Sequence, residues 1–301
     1  MTSPPTDAPT RAFFEEHSYF GLKKENVIFF MQGTLPCVSP EGTILLKSKG
    51  EMCEAPDGNG GIYPALAASG SLEDMRKRGV QFVHVTSVDN AICKVADPVF
   101  VGYCIASGAD VGAKCVAKRG PDEPVGVFCA AGQGGCQVVE YSELTSADAT
   151  ATTETGELKF NAGNICNHFY TVDFLAIAAE ARCPYHIAKK KIPTVDDAAP
   201  AAPNGVKLEM FIFDVFAQAK NFVALEVPRE TEFSPVKNAP GAKEDTPDTA
   251  RALVLAAHRA WLESAGASLA ADVEIAPLVS YDGEGLETCS GKSLSGNLSS
   301  L

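Results

Sequence analysis

Apolar residues recur along this chain in short runs, alternately at helical spacing and as buried-strand stretches, and the alternation predicts a sheet with crossover helices. Thr10 to His17 (TRAFFEEH) reads as a short helix capped by Thr10, and Asn26 to Gln32 (NVIFFMQ) as a buried strand. Helix then strand repeats over Gly61–Arg78, Gln81–Val88, Ala96–Ser107 and about Gly112–Ala117. Val125–Ala130 and Gln137–Tyr141 flank the glycine-rich Gly132–Gly135 and predict a β-hairpin, so the sheet is expected to be mixed. Ser146–Gly156, rich in Thr, Ala and Ser, predicts a surface loop. Further on, the pattern predicts helices over Phe169–Ala181 and about Leu208–Lys220, the latter after a proline-punctuated linker at Ala198–Pro203, and a strand at Phe222–Val227. Thr246 as cap, Pro247 in the first turn and Gly266 as stop mark a further helix, and the serine-rich Cys289–Leu301 is expected to fray.

Length and composition narrow the classes. At 301 residues and 46% hydrophobic, the chain can build one large α/β domain or two smaller ones. A net charge of −13, with Lys189–Lys191 as the only basic cluster, argues against nucleic acid as a partner. No apolar run nears the roughly twenty residues that cross a bilayer. The ten cysteines lack the two-residue spacing of a zinc knuckle or redox pair, and several sit in apolar runs. They read as buried thiols of a reducing compartment, and with no export or organelle signal the expected location is the cytoplasm.

Two stretches carry candidate chemistry. Ala55–Gly61 (APDGNGG) is a glycine-dense turn opening a helix, where backbone N–H groups can approach a base or a phosphate closely; taken alone, the string is more commonly an ordinary strand-to-helix turn. Val83–Asn90 (VHVTSVDN) brings Asp89 to a strand end, where open α/β sheets keep ligands and a carboxylate can hold a divalent cation against phosphate; an Asx residue there can also be a cap. Glu140 in VVEYSE would offer a carboxylate to sugar hydroxyls, or sit as a solvated strand end. The amides of Asn161–Asn167 (NAGNICN) fit an acetamido or hydroxyl group, or form an Asn-rich turn leading into a helix. Lys207 and Lys237 are single lysines after turn residues, Phe211 and Phe213 read first as core, and the five histidines form no triad or metal pattern.

In this order the motifs resemble those of the eukaryotic UDP-N-acetylglucosamine pyrophosphorylases. The resemblance runs from Met1 to about Glu287 and includes YFGLKKENVIFF, LPCVSPEGTILL, APDGNGG, VDN, VADPVF, QVVEYSE, FNAGNICNHF, PNGVKLEMFIFDVF and EFSPVKNA. It implies a GT-A-like, Rossmann-related α/β nucleotidyltransferase core over residues 1–240 and a small C-terminal region over 241–301. It implies a uridylyltransferase joining UTP and N-acetylglucosamine 1-phosphate into UDP-N-acetylglucosamine and pyrophosphate, with Mg2+ or Mn2+. By the same resemblance, Gln32 and Gly58 contact uracil, Asn59 reaches the sugar, and Asp89 meets the phosphates and metal. Glu140 and Asn164 hold the sugar hydroxyls and acetamido group, Phe211 and Phe213 line that pocket, and Lys207 and Lys237 neutralise phosphate charge.

The family's first strand, its glycine-rich loop with a following arginine, and a later lysine have no counterpart in this chain. The expectation is therefore an N-terminally incomplete enzyme with a shortened C-terminal region. A catalytically silent UDP-sugar-binding module, or a scaffold subunit of a complete paralogue, stand as alternatives, and homo-oligomerisation is left open.

Overall fold

The computed structural model describes residues 1–131 and 135–300, and the chain forms two units that interleave in sequence. The first comprises Met1–Val83, Ala130–Val138 and Tyr170–Phe222; the second comprises His84–Cys129, Val139–Phe169 and Val223–Leu301.

In the first unit the opening helix spans Asp7–Glu16, so Thr6 and not Thr10 precedes it. Pro9 is tolerated in its first turn, where the missing N–H has no partner to lose, and Asp7 there accepts from Thr2 Oγ1 (2.6 Å) and Arg11 Nε (2.7 Å). The strand expected at Asn26–Gln32 is not formed. Lys24–Asn26 make a 3-10 turn, and the extended residues after it pair with the chain start, Thr2 N–H to the Phe30 carbonyl (2.8 Å) and Gln32 N–H to the Thr2 carbonyl (2.9 Å). The helix expected over Gly61–Arg78 is two, Ile62–Ala68 and Ser71–Lys77, broken where Gly70 takes φ 74°.

The helix expected over Leu208–Lys220 is absent. Gly205–Glu209 is a strand paired antiparallel with His186–Lys190, Ala188 opposite Lys207, followed by a turn and the 3-10 segment Phe216–Gln218. Pairing with a strand distant in sequence overrides helix propensity. Tyr63, Tyr170 and Phe216 are fully buried, with Tyr63 Oη donating to the Ile212 carbonyl (2.5 Å).

The second unit is built on a sheet. Its strands run in the order Phe222–Glu226, Val111–Ala117, Ala162–Thr171, Val127–Ala130, and Phe82–Thr86 also pairs with Ala162–Thr171. Val127 lies antiparallel to Gly163. Helix Pro98–Ala106, capped by Asp97, packs Phe100 and Cys104 against Phe169. The strand Ala162–Thr171 occupies the expected Asn-rich turn and the start of the expected helix, which begins at Val172. The strands on either side of the expected hairpin are present, Val127–Ala130 and Cys136–Val139; its turn falls at 132–134, outside the described residues. The expected loop at 146–156 holds a short helix, Ser146–Thr150, capped by Thr145.

Helix Pro247–Ser264 starts as read, with Thr246 and Thr249 forming a reciprocal capping box. The tail departs from expectation. Ser293–Leu298 is a strand parallel to Ser268–Ile275, and Leu294 and Leu298 pack on a cluster of Leu262, Val273, Ile275 and Leu286.

Candidate functional site

In the first unit, the glycine-dense turn faces the turn after strand Gly205–Glu209. Gly58 has φ 95°, and a Cβ there would lie 2.3 Å from the Met210 carbonyl oxygen, so only glycine fits. Gly60 N–H donates to that same carbonyl (2.9 Å) and Met210 N–H to the Asp57 carbonyl (2.7 Å), locking the two turns together. Asn59 Oδ1 accepts Ile212 N–H (2.9 Å), which leaves its NH2 as the group offered outward.

Gln32 Nε2 donates to Asp57 Oδ1 and to the Gly58 carbonyl, both at 2.9 Å, leaving its own carbonyl oxygen as the acceptor it presents. Behind Phe211 the His186 ring stacks at 4.1 Å and is itself held by Asp214 (3.0 Å), whose other oxygen accepts Phe211 N–H (2.9 Å).

These groups line one cavity of about 430 Å³, whose wall includes Gln32, Gly58, Asn59, Lys207, Glu209 and Phe211. Five residues singled out from the sequence thus meet at one opening. Phe213 does not line it: it is buried, its ring 5.1 Å from that of Phe211, and it supports the wall from behind. Sequence reading passed over His186 and Asp214, which fix Phe211, and Asp57, which fixes Gln32.

The second unit gathers the remaining candidates. The end of strand Phe82–Thr86 carries Asp89, whose Oδ1 accepts Ser87 Oγ–H (2.5 Å). Residues 232–237 are stapled alongside. Val236 N–H donates to the Asp89 carbonyl (2.9 Å), Asn90 Nδ2 to the Glu232 carbonyl (2.7 Å), and Ser234 N–H to Asn90 Oδ1 (2.9 Å). This staple brings Lys237 to the neighbourhood of Asp89.

Strand Ala162–Thr171 runs alongside, with Ser87 N–H donating to the Cys166 carbonyl (3.1 Å). Cys166 sits at φ 52°, a left-handed conformation that costs a non-glycine residue, and its N–H is held by Asn164 Oδ1 (3.0 Å). That oxygen also meets His168 Nε2 (3.0 Å), so the imidazole donates. His168 is wholly buried, and burial pushes its pKa down to about 3, which keeps the ring neutral as the Nε2–H tautomer. With Asn164's oxygen doubly occupied, its NH2 is the group left to present to a ligand acceptor.

Burial, then the Asp89 carboxylate, pushes the Cys166 thiol up to about 11; the Lys237 ammonium opposes and Glu140 adds. Asp89, Glu140, Asn164 and Lys237 therefore share one electrostatic neighbourhood around Cys166. His168 and Cys166 escaped the sequence reading, although Asn164, Cys166 and His168 alternate at the period of one strand face.

Residues 1–283 match the family described as UTP--glucose-1-phosphate uridylyltransferase, and the chain belongs to that family. It is 50% identical over 315 residues to UDP-N-acetylhexosamine pyrophosphorylase-like protein 1 of Xenopus tropicalis, covering 96% of this chain and 61% of that protein. It is 46% identical over 305 residues to the UDP-N-acetylglucosamine pyrophosphorylase of Saccharomyces cerevisiae, covering 97% of this chain and 64% of that protein. The crystal structure of the uridine diphosphate N-acetylglucosamine pyrophosphorylase from Trypanosoma brucei, in complex with an inhibitor, matches with a TM-score of 0.84 at 40% identity, over 94% of this chain and 61% of that one. The mixed α/β fold expected from the sequence is the one these relatives share. The chain spans about three fifths of the length of the curated relatives it matches.

Proposed function

We propose that this chain carries the uridine-, sugar- and phosphate-facing residues of a uridylyltransferase that joins UTP and N-acetylglucosamine 1-phosphate. The observation that carries the reading is the cavity in which Gln32, Gly58, Asn59, Lys207 and Phe211 meet. The Gln32 carbonyl oxygen and the Gly58 backbone suit the donors and acceptors along one edge of uracil. The Asn59 NH2 suits a sugar oxygen, Lys207 a phosphate, and Phe211 an apolar ring face. In the second unit, Asn164 NH2 and the Glu140 carboxylate suit acetamido and hydroxyl groups, and Lys237 suits phosphate oxygens.

The chemistry is in-line attack by an oxygen of the sugar 1-phosphate on the α-phosphorus of UTP. The bond from that phosphorus to the bridging oxygen breaks, and pyrophosphate leaves. No protein nucleophile is required, so the residues act by positioning and by offsetting charge between two anions.

Magnesium belongs to the same proposal. Among the described residues no three His, Cys, Asp or Glu side chains are grouped to form a metal cage. A single carboxylate such as Asp89 fits an ion whose other ligands are phosphate oxygens and water, the usual arrangement for magnesium with nucleotides. When bound, the ion would neutralise phosphate charge, and Asp89 would hold it.

A cytoplasmic location is part of this reading, supported by ten free thiols. Among the described residues no helix is long and apolar enough to cross a membrane.

The test is calorimetric titration of the chain with UDP-N-acetylglucosamine, alongside pyrophosphate release from UTP and N-acetylglucosamine 1-phosphate. Gly58→Ala, which drives a methyl into the Met210 carbonyl, and Lys207→Met are each expected to weaken binding by about tenfold or more, the scale of a lost charge-assisted contact or a closed approach. Absence of heat with the unsubstituted chain at millimolar ligand would reject the reading. Heat without pyrophosphate release would favour a silent binding module.

A further inference from the structure

The strand Val111–Ala117 is apolar except for Lys114, whose side chain is wholly buried. An ammonium in a core is costly unless paired and hydrogen-bonded. Lys114 Nζ donates to Asp97 Oδ2 (2.5 Å) and Glu232 Oε2 (2.8 Å), and lies 5.5 Å over the Phe100 ring. Asp97 also caps helix Pro98–Ala106 by accepting Val99 N–H (2.9 Å). Burial works against its ionisation, yet the Lys114 hydrogen bond and charge hold its carboxyl below the usual range. Lys94 completes the cluster, 3.4 Å from Glu232 Oε1 and 2.7 Å from Asp282.

From Glu232 the connection leads outward. Its main-chain carbonyl accepts Asn90 Nδ2, the Asn90 oxygen accepts Ser234 N–H, Ala91 N–H donates to the Ser234 carbonyl (3.0 Å), and Val236 N–H reaches the Asp89 carbonyl. One residue therefore faces both ways. The Glu232 side chain is clamped by Lys114, and its backbone holds the strand end that carries Asp89. Buried ion pairs rarely stabilise more than an apolar replacement would, so retaining one in this core calls for a geometric role.

We propose that Lys114 is a positioning residue. By clamping Asp97 and Glu232 it sets the register of residues 232–237 against 89–91, and through that register the placement of Asp89 and Lys237. The functional importance of this rests on the proposed phosphate-handling roles of those two residues; the register itself does not.

The test uses the full chain and the triple variant Lys114→Met/Asp97→Asn/Glu232→Gln, which neutralises Lys114 together with the two carboxylates it clamps while keeping volume and the helix cap. Hydrogen exchange at the Ala91, Ser234 and Val236 amides is expected to quicken by about tenfold or more, while exchange in Ser268–Ile275 is unchanged, the signature of a local opening. Where the chain turns over, kcat is expected to fall by about tenfold or more with KM for UTP little changed, because misplacement and not lost binding is at issue.

Exchange at the three amides matching the unsubstituted chain overturns the proposal, as does faster exchange with unaltered kcat. Should the triple variant fail to fold, Glu232→Gln alone is read the same way. If the unsubstituted chain neither binds UDP-N-acetylglucosamine nor releases pyrophosphate, the functional reading falls, and exchange alone decides the register.

Discussion

At the scale of single residues, the polar groups fixed by a neighbour matter most. Asn164 is legible in the sequence as an amide near other amides, but its direction comes from Cys166 N–H and His168 Nε2 both claiming its oxygen. His168 read as an isolated histidine, because nothing local marks a ring that will be buried beside an amide on the same strand face. Its burial has a pH consequence. The folded-state pKa is about 3 against an ordinary 6.5, so between those values the unfolded chain binds a proton that the folded chain refuses. Stability is therefore expected to fall as pH drops below 6.5, by on the order of 1 kcal/mol for each pH unit from this group. Burial also lowers the pKa of His84 and His258, so they contribute with the same sign. Glu284, held near 2 by the backbone amides of Tyr281 and Asp282, acts in a separate window below its ordinary 4.5. Urea unfolding of His168→Gln, which can still donate to Asn164, should lose less stability than the unsubstituted chain between about pH 7 and pH 4.5; equal losses would contradict this account.

At the scale of elements, sequence patterning served best where neighbours in sequence are neighbours in space. The strands Phe82–Thr86, Val111–Ala117 and Phe222–Glu226 and the helix Pro247–Ser264 all stand within a few residues of their expected places, because run length and capping residues are local signals. Lys207 and Phe211 read differently. The expected helix from about Leu208 would have held Phe211 in its first turn and left Lys207 just outside it. Pairing with His186–Lys190 instead makes Gly205–Glu209 a strand and sends Phe211 into a turn over Gly58 and Gly60. No local window contains that partner.

The serine-rich tail misled for the same reason. Ser293–Leu298 has weak strand propensity, yet it pairs in parallel with Ser268–Ile275 and seats Leu294 and Leu298 on the Leu262, Val273, Ile275 and Leu286 cluster. Leu294→Ser/Leu298→Ser is accordingly expected to lower the unfolding free energy by about 2 kcal/mol, since both leucines are only partly buried. Hydrogen exchange should show lost protection across Ser268–Ile275, and a truly frayed tail would show none.

At the scale of the whole molecule, charge and cysteine usage bear on one another. Under the proposed function a chain of net charge −13 must supply local positive charge to anionic ligands, and in that proposal Lys207 and Lys237 do so one at a time instead of through a basic surface. A nucleophilic thiolate in such surroundings would add to the repulsion. The thiols are arranged against that: all ten are free, six are buried, and only Cys93, Cys129, Cys166 and Cys183 are half-buried. Burial pushes Cys104 up to about 12 and Cys115 and Cys166 up to about 11, far above neutrality. Cys166 is the informative case: burial first, and then the Asp89 and Glu140 carboxylates that the proposed function assigns to phosphate and sugar, keep it protonated. The expected outcome is a protein whose melting temperature is indifferent to added reductant. At about pH 7.5 iodoacetamide should label the native chain slowly and at no more than the four half-buried positions, whereas all ten should react in urea. Fast native labelling of Cys166 that UDP-N-acetylglucosamine leaves unchanged would show both that its thiol is ionised and that the ligand does not sit beside it, overturning the electrostatic neighbourhood drawn around Asp89, Glu140 and Lys237.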